Sequence, residues 1–388
     1  WSLLMERKPL RNRYLYTSSP AQKIFFSAYK KSTVINLQSV IFAQLNTQMD
    51  KEAKIVAFDP NEPALNTHLF GLPFDADECD IHVFPAPWEV TVSYGAGTAE
   101  GPAEIEVASA QVDLFDEQFP NGWQRGIWMH PIDEAWAETS ANLREKASQY
   151  LTAYEQDDVS DLELRLLDEI NDKCGHFHRW VEKNVSQLLA KDRRVILLGG
   201  DHSTSLGSLR AHKAKYGSFG ILQIDAHADL RNAYEGFTYS HASIMYNALN
   251  EGLTDQLCIV GLRDYCHAEA TMIEKDQRIT VHTDRAMNQQ LFAGSNWAAV
   301  SATIVADLPQ HVYLSVDIDG LDPSLCPGTG TPVPGGLSMA QFLHLIDAVL
   351  ASGRKIIGAD LVEVVPGENQ WDANVGARVL YALSHRLS

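Results

Sequence analysis

The sequence predicts an α/β protein built on a parallel sheet, and three observations lead there. From about residue 81 onward, strand-like and helix-like segments alternate along the 388-residue chain, as in a parallel sheet with crossover helices. The strand-like segments are apolar runs bounded by turn residues, which reads as burial. Acids and imidazoles gather where several of these runs end, and sheets of this kind bind ligands at the carboxyl ends of their strands.

Residues 1–48 stand apart: they hold seven Lys/Arg and one acid, Glu6, leaving 24 basic against 49 acidic residues in the rest. The chain starts at Trp1, whereas Met49 followed by DKEAKIVAFDP resembles a natural start. The basic extension is therefore expected to be an over-extended or engineered start. The alternative is part of an acid-poor targeting sequence, which would imply an organelle. Residues 49–388 are expected to form the working domain.

Within that domain IHVFPAP (81–87) is the first core strand. A Gly/Thr-rich loop, 88–101, leads to a helix over 102–115, with Pro102 suited to a helix start. GIWMH (126–130) is a short strand, and 140–155 and 161–190 are helices; Leu162, Leu166 and Ile170 share one face of the second. Strands follow at 194–200, 221–225, 256–263, 278–283, 311–319 and 355–364, separated by helices at 203–217, 241–251, 267–275 and 338–353. A last helix spans 372–387. The segment 284–310, with Trp297, reads as a loop at the rim.

A net charge of −19 argues against nucleic acid or an anionic membrane as partner and suits a small cationic ligand. No apolar run approaches the ~18–20 residues a membrane span requires. The five cysteines are scattered without a CxxC, so a disulfide framework or thiolate zinc site is not expected, and a reducing, cytoplasmic setting fits.

The chemistry gathers at ILQIDAHADL (221–230). Period-two spacing puts Asp225, His227 and Asp229 on one face if the strand continues. GGDHS after the third strand adds His202, SVDIDGLDP after the seventh adds Asp317 and Asp319, and the eighth ends with Glu363. Four carboxylates at one buried rim cannot all stay ionised without compensation. Two divalent cations balance them, with Asp225 and Asp317 the natural bridges. Oxygen and nitrogen ligation without sulfur suits Mn²⁺, and also Fe²⁺, Co²⁺, Ni²⁺ or Zn²⁺.

GGDHS, DAHADL and SVDIDGLDPSLCPGTGTPVPGG resemble the three signatures of the ureohydrolase family, which includes arginases and agmatinases, over about residues 80–388. The resemblance implies a three-layer α/β/α sandwich around an eight-stranded parallel sheet. It implies one ion on His202, Asp225, Asp229 and Asp317, and a second on Asp225, His227, Asp317 and Asp319. Mn²⁺ is the usual ion and Ni²⁺ the alternative. Asp229 would orient the attacking water. His241, in YSHAS, aligns with the proton-shuttle histidine, and Glu363 with the acid that pairs with the planar guanidinium. A homo-oligomer, trimer or hexamer, is implied as well.

The loop LRNAYEGFTYSHAS (230–243) is similar to the LR..YEG..YSHA pattern of agmatinase-type members and unlike the Asn/Thr/Ser-rich loop of arginases. Conversion of agmatine to putrescine and urea is therefore expected, with Glu235, Tyr234 and Trp297 as candidates to read the distal ammonium. The long segment 111–190 departs from compact agmatinases, which keeps free guanidine (with nickel), guanidinobutyrate and guanidinopropionate open as substrates. A single-zinc amidohydrolase of the deacetylase type would need fewer acids, and a non-catalytic relative would be expected to have lost a ligand.

Overall fold

A computed structural model of the chain describes residues 49–388 apart from Leu65, Thr67, Ser93, Tyr94 and Glu368. The basic segment 1–48 lies outside the described residues. The domain opens with a short helix, α1 (Lys51–Ala57), whose N-cap Asp50 accepts from the Ala53 backbone N–H.

Eight strands form one sheet: β1 (Ile81–Ala86), β2 (Ile127–Met129), β3 (Arg194–Gly199), β4 (Gly220–Ile224), β5 (Gln256–Val260), β6 (Ile279–His282), β7 (His311–Asp317) and β8 (Lys355–Val362). Every pairing is parallel, and the order across the sheet is β2-β1-β3-β8-β7-β4-β5-β6. The expected eight-stranded parallel sheet is present. Its four central neighbours, β3, β8, β7 and β4, are the four strands whose ends carry the sequence motifs.

The helices are α2 (Gly101–Ser109), α3 (Glu134–Glu155), α4 (Asp161–Ala190), α5 (Ser205–Tyr216), α6 (Ile244–Asn250), α7 (His267–Lys275), α8 (Asp284–Phe292), α9 (Trp297–Ala306), α10 (Met339–Ala351) and α11 (Trp371–Arg386). Successive strand residues serve opposite cores, which is why these strands read as unbroken apolar runs. Ile196 and Leu198 pack with residues of α2, α9, α10 and α11, while Val195 and Leu197 pack with residues of α3 and α4. A third cluster joins Leu206 and Leu209 of α5 to Met245 of α6 over Ile221 and Ile259. The result is the three-layer sandwich.

Three local expectations need correction. Segment 284–310 is not a loop: Thr283 and Asn296 cap two short helices by accepting from Ala286 N–H and Ala299 N–H. The second, WAAVSATIVA, buries Val300, Ile304 and Val305 and is apolar enough to hide its amphipathic period. The helix expected over 102–115 ends at Ser109, whose hydroxyl bonds back to the Glu106 carbonyl at 2.6 Å and accepts from Phe70 N–H. The helix expected from residue 140 starts at 134, because Asp133 caps Ala135 and Trp136.

Candidate active site

Two glycines let the motif-bearing loops meet. A Cβ on Gly200 would stand 1.9 Å from the Trp88 carbonyl oxygen, so only glycine lets the turn after β3 pass beside the segment following β1. A Cβ on Gly320 would stand 2.5 Å from the Asp225 nitrogen, so the SVDIDG turn packs directly on the end of β4. That contact carries Asp317 and Asp319 to Asp225.

The convergence is not the pleat alternation expected from the sequence. Strand β4 stops at Ile224, and Asp229 lies in the left-handed region with φ 53°. Aspartate tolerates that conformation better than most residues. The loop, not a continued strand, aims His227 and Asp229. Glu363 is also left-handed, with φ 62°. Strain held at two acids of one site is the kind of cost a fold tolerates where geometry is needed.

The six sequence-selected residues form one connected cluster. His202 Nδ1 lies 3.1 Å from Asp225 Oδ2, 2.9 Å from Asp229 Oδ2 and 3.4 Å from Asp317 Oδ2. His227 Nδ1 lies 3.0 Å from Asp319 Oδ2 and 3.6 Å from Asp225 Oδ1. Donor atoms of His202, Asp225 and Asp229 fall within 4.8 Å of one another, and so do those of Asp225, His227 and Asp319. Asp225 belongs to both groups. Asp317 joins through His202 and through its Oδ1, which accepts from Asp319 N–H at 2.9 Å.

The surroundings set which atoms are free to bind. The Ser315 hydroxyl donates to Asp360 at 3.0 Å, so its oxygen accepts from His202 Nε2–H at 2.9 Å. That leaves Nδ1 to face the cluster, buried, with three carboxylates inside ion-pair range but none at hydrogen-bond geometry. An imidazole nitrogen aimed among carboxylates, on a ring oriented from behind by a hydroxyl–carboxylate pair, suits a metal ligand, an ion taking the place of the proton those carboxylates favour there. Gln223 Nε2 donates to Asp225 Oδ2 at 2.8 Å, and Ala226 N–H to Asp319 Oδ1 at 3.0 Å. Oxygen and imidazole donors in two groups sharing a carboxylate fit two hard or borderline divalent ions.

Electrostatics describe a site that demands positive charge. Burial opposes a charge on His202, but Asp225, Asp229 and Asp317 outweigh it and hold the ring well above its ordinary value. His227 likewise rises against burial to about 12, drawn by Asp225 and Asp319. Burial, then the Asp225 charge, lifts Asp229 to about 6. Burial and the neighbouring Asp319 and Asp225 push Asp317 well up.

A cleft of about 460 Å³ is lined by His227, Asp229, Asp317, Glu363 and His241, together with Arg231, Tyr234, Asp264 and Glu269. Glu363 Oε1 accepts from His202 N–H at 2.8 Å; burial first, then the Asp201 charge, raises its carboxyl. His241 sits in the turn before α6 and hydrogen-bonds its backbone N–H to Thr91 Oγ1. Its Nδ1 is buried without a partner, and burial followed by the His227 charge lowers the ring to about 4.

The three candidates for the substrate's far end separate. Tyr234 lines the cleft, with the Arg231 guanidinium 4.4 Å over its ring. Glu235, left-handed at φ 54°, is not among the lining residues. Trp297 is not either: its indole donates to the Gln341 carbonyl at 3.0 Å and its ring packs into the core under α10. Two residues at the end of β5 escaped notice in the sequence. Asp264 pairs by backbone bridge with His227 and lines the cleft. Arg263 donates to the carbonyls of Gly261, Asp319, Leu321 and Val333. No local sequence signal marks either residue, because the backbone each one meets is brought there only by the pairing of β5 with β4.

The Arginase family model matches residues 79–385. An N(1)-aminopropylagmatine ureohydrolase from Thermus thermophilus is 28% identical over 79% of this chain and 89% of its own. An agmatinase from Cronobacter sakazakii is 30% identical over 80% of this chain and 88% of its own. Among solved structures, the agmatine ureohydrolase of Thermoplasma volcanium superposes with TM-score 0.60 at 21% identity, covering 84% of this chain and 92% of its own. Trypanosoma cruzi formiminoglutamase with Mn²⁺ superposes with TM-score 0.61 at 16% identity, covering 80% and 93%.

Proposed function

The chain belongs to the arginase family, and on that premise we propose that it is a two-metal hydrolase that splits an agmatine-type guanidino compound and releases urea. It acts on the C–N bond of a linear amidine. The observation that carries the two-metal reading is the pair of donor groups meeting at Asp225. A single-zinc amidohydrolase has no use for the second group.

One ion would be held by His202, Asp225, Asp229 and Asp317, the other by Asp225, His227, Asp317 and Asp319. When bound, such a pair lowers the pKa of water and supplies a nucleophile near neutral pH. Mn²⁺ fits the donor set, with Ni²⁺ as the alternative. Glu363 faces the cleft from its buried, strained position and would pair with the guanidinium through a planar two-point contact. Asp229 would orient the nucleophile. His241, neutral around pH 7 with an unpartnered Nδ1, can accept a proton there and return it to the departing amine, which must leave protonated.

The relatives named for agmatine and aminopropylagmatine support an alkylguanidine carrying an amino terminus. Residues 49–388 would be the whole catalytic unit, working as a homo-oligomer in the cytoplasm. Among the described residues no helix is long and apolar enough to cross a membrane. The test is urea release from agmatine, aminopropylagmatine, free guanidine, guanidinobutyrate, guanidinopropionate and arginine, run separately with Mn²⁺ and Ni²⁺. Turnover of agmatine or aminopropylagmatine above the others supports the assignment, and no urea from any of the six would overturn it.

A further inference from the structure

We propose that Asn171, on α4, is a positioning residue for substrate binding: it clamps the loop that brings Tyr234 to the cleft. The inference rests on the hydrolase reading above, and it gives the long segment 111–190 a task. That segment supplies α3 and α4, and among the described residues neither helix lines the cleft.

The loop 230–243 has a backbone that needs outside support. Ala233 and Glu235 are left-handed at φ 46° and 54°, and Gly236 follows at φ 87°. Left-handed conformations at residues other than glycine persist only where the surroundings over-determine them. The loop's own bonds close two tight turns, Gly236 N–H to the Ala233 carbonyl at 2.9 Å and Phe237 N–H to the Tyr234 carbonyl at 3.0 Å. These bonds do not fix the turns against the rest of the domain. Asn247 of α6 adds one anchor, its Nδ2 donating to the Thr238 carbonyl at 2.9 Å.

The Asn171 amide grips the loop at two points. Its Nδ2 donates to the Gly236 carbonyl at 3.2 Å, and its Oδ1 accepts from Thr238 N–H at 2.8 Å. One planar amide meeting the backbone on both sides of Phe237 pairs with it as a parallel strand neighbour would, and so fixes rotation as well as position. Phe237 itself is fully buried, its ring 5.3 Å from that of Tyr150 on α3. A Cβ on Gly236 would stand 2.8 Å from Tyr150 Oη and 3.0 Å from Leu167 Cδ2, so the glycine backbone lies directly against both helices.

Two residues before Gly236, Tyr234 lines the cleft beneath the Arg231 guanidinium. His241 is anchored separately: its backbone N–H donates to Thr91 Oγ1, and the Ser240 hydroxyl caps its turn by accepting from Ala242 N–H. The clamp therefore acts on the wall that meets the substrate and not on proton transfer. Its loss belongs in KM and not in kcat.

The experiment compares the Mn²⁺-loaded full chain with Asn171→Ala and with a control, Asn184→Ala. Asn184 is on the same helix, and its Nδ2 donates to the Trp180 carbonyl at 2.8 Å, away from the loop. Alanine is the better helix former at both positions, so neither change weakens α4 itself. Two readouts are taken: steady-state urea release from agmatine, and amide hydrogen exchange of peptides covering 233–240. Asn171→Ala should raise KM about three- to tenfold, the scale of one or two neutral hydrogen bonds, with kcat within about twofold of wild type. Its 233–240 peptides should exchange faster while those of β4 stay protected, and Asn184→Ala should match wild type in both readouts. An equal KM rise in the two variants would mean a general effect of α4 and would overturn the inference. So would an unchanged KM in Asn171→Ala, even with faster exchange, because the amide would then hold the loop without serving the cleft. Absence of urea with the wild type would overturn the hydrolase reading and, with it, the claim on substrate binding.

Discussion

Replacing Arg263 by lysine tests whether the second donor group is held in place from behind. The guanidinium makes five contacts with four carbonyls: Nε to Val333 at 3.1 Å, Nη1 to Gly261 at 3.2 Å, and Nη2 to Asp319, Val333 and Leu321 at 2.6, 2.9 and 3.2 Å. It thereby ties the end of β5 to the turn carrying Asp319 and to the cleft wall at Val333. A lysine keeps the charge but offers a single ammonium that cannot span a planar fork. Hydrogen bonds to charged groups contribute about 1.5–3 kcal/mol each. With half-burial favouring the low end and lysine retaining some contacts, losing about two gives a loss of about 3 kcal/mol. Urea denaturation should show it as a lower midpoint at unchanged slope. Because Asp319 loses the support of its own carbonyl, affinity for the ion on the His227 side should fall about tenfold, the scale seen when outer support of a ligand is removed. Calorimetric titration of metal-stripped protein with Mn²⁺ should show the weaker of two binding steps shift while the tighter stays. Two unshifted steps with wild-type stability would refute the idea that Arg263 positions Asp319.

Other outcomes follow from the same geometry. Asp225→Asn, at the carboxylate common to both groups, should abolish metal binding and urea release; metal analysis showing two ions per chain with full activity would exclude the shared role. His241→Ala should keep both ions and lower kcat on the order of 100-fold, and loss of metal instead would point to a ligand role. His178, on α4, is fully buried, and burial lowers its ring to about 3. Its folded pKa lies below the ordinary 6.5, so its neutral form stabilises the fold above that value and the contribution is lost as pH falls toward 3. Each unit below about 6.5 should cost about 1.4 kcal/mol. His178→Asn, whatever its constant offset, should flatten the pH dependence of the denaturation midpoint between pH 6.5 and 4.5 by that slope, and parallel curves would rule the effect out.

Strands were legible because a strand buried on both faces must be apolar at every position, which is why Arg194–Gly199 and His311–Asp317 stand out in the chain. The two helices between residues 284 and 306 were not. Each is about three turns long, and the second is apolar nearly all round, so neither length nor period marks it. Trp297 illustrates the consequence: an aromatic on an assumed rim loop looked available to a ligand, whereas on a helix it packs beneath α10. Arg263 and Asp264 were passed over for a different reason. One arginine beside one aspartate has no pattern; their roles depend on which backbone stands opposite.

What the sequence determined by itself was the set of strands and the six acids and imidazoles that the structure gathers into one cluster, because burial and charge balance constrain residue type position by position. Which strands are neighbours, and hence that β3, β8, β7 and β4 bring their ends together, was decided by the tertiary structure. So were the placing of His202 Nδ1 among three carboxylates and the left-handed turns at Asp229 and Glu363. The physical reason is common to all of these. Each depends on contacts between residues far apart in the chain, and local composition carries no record of a partner that only folding supplies.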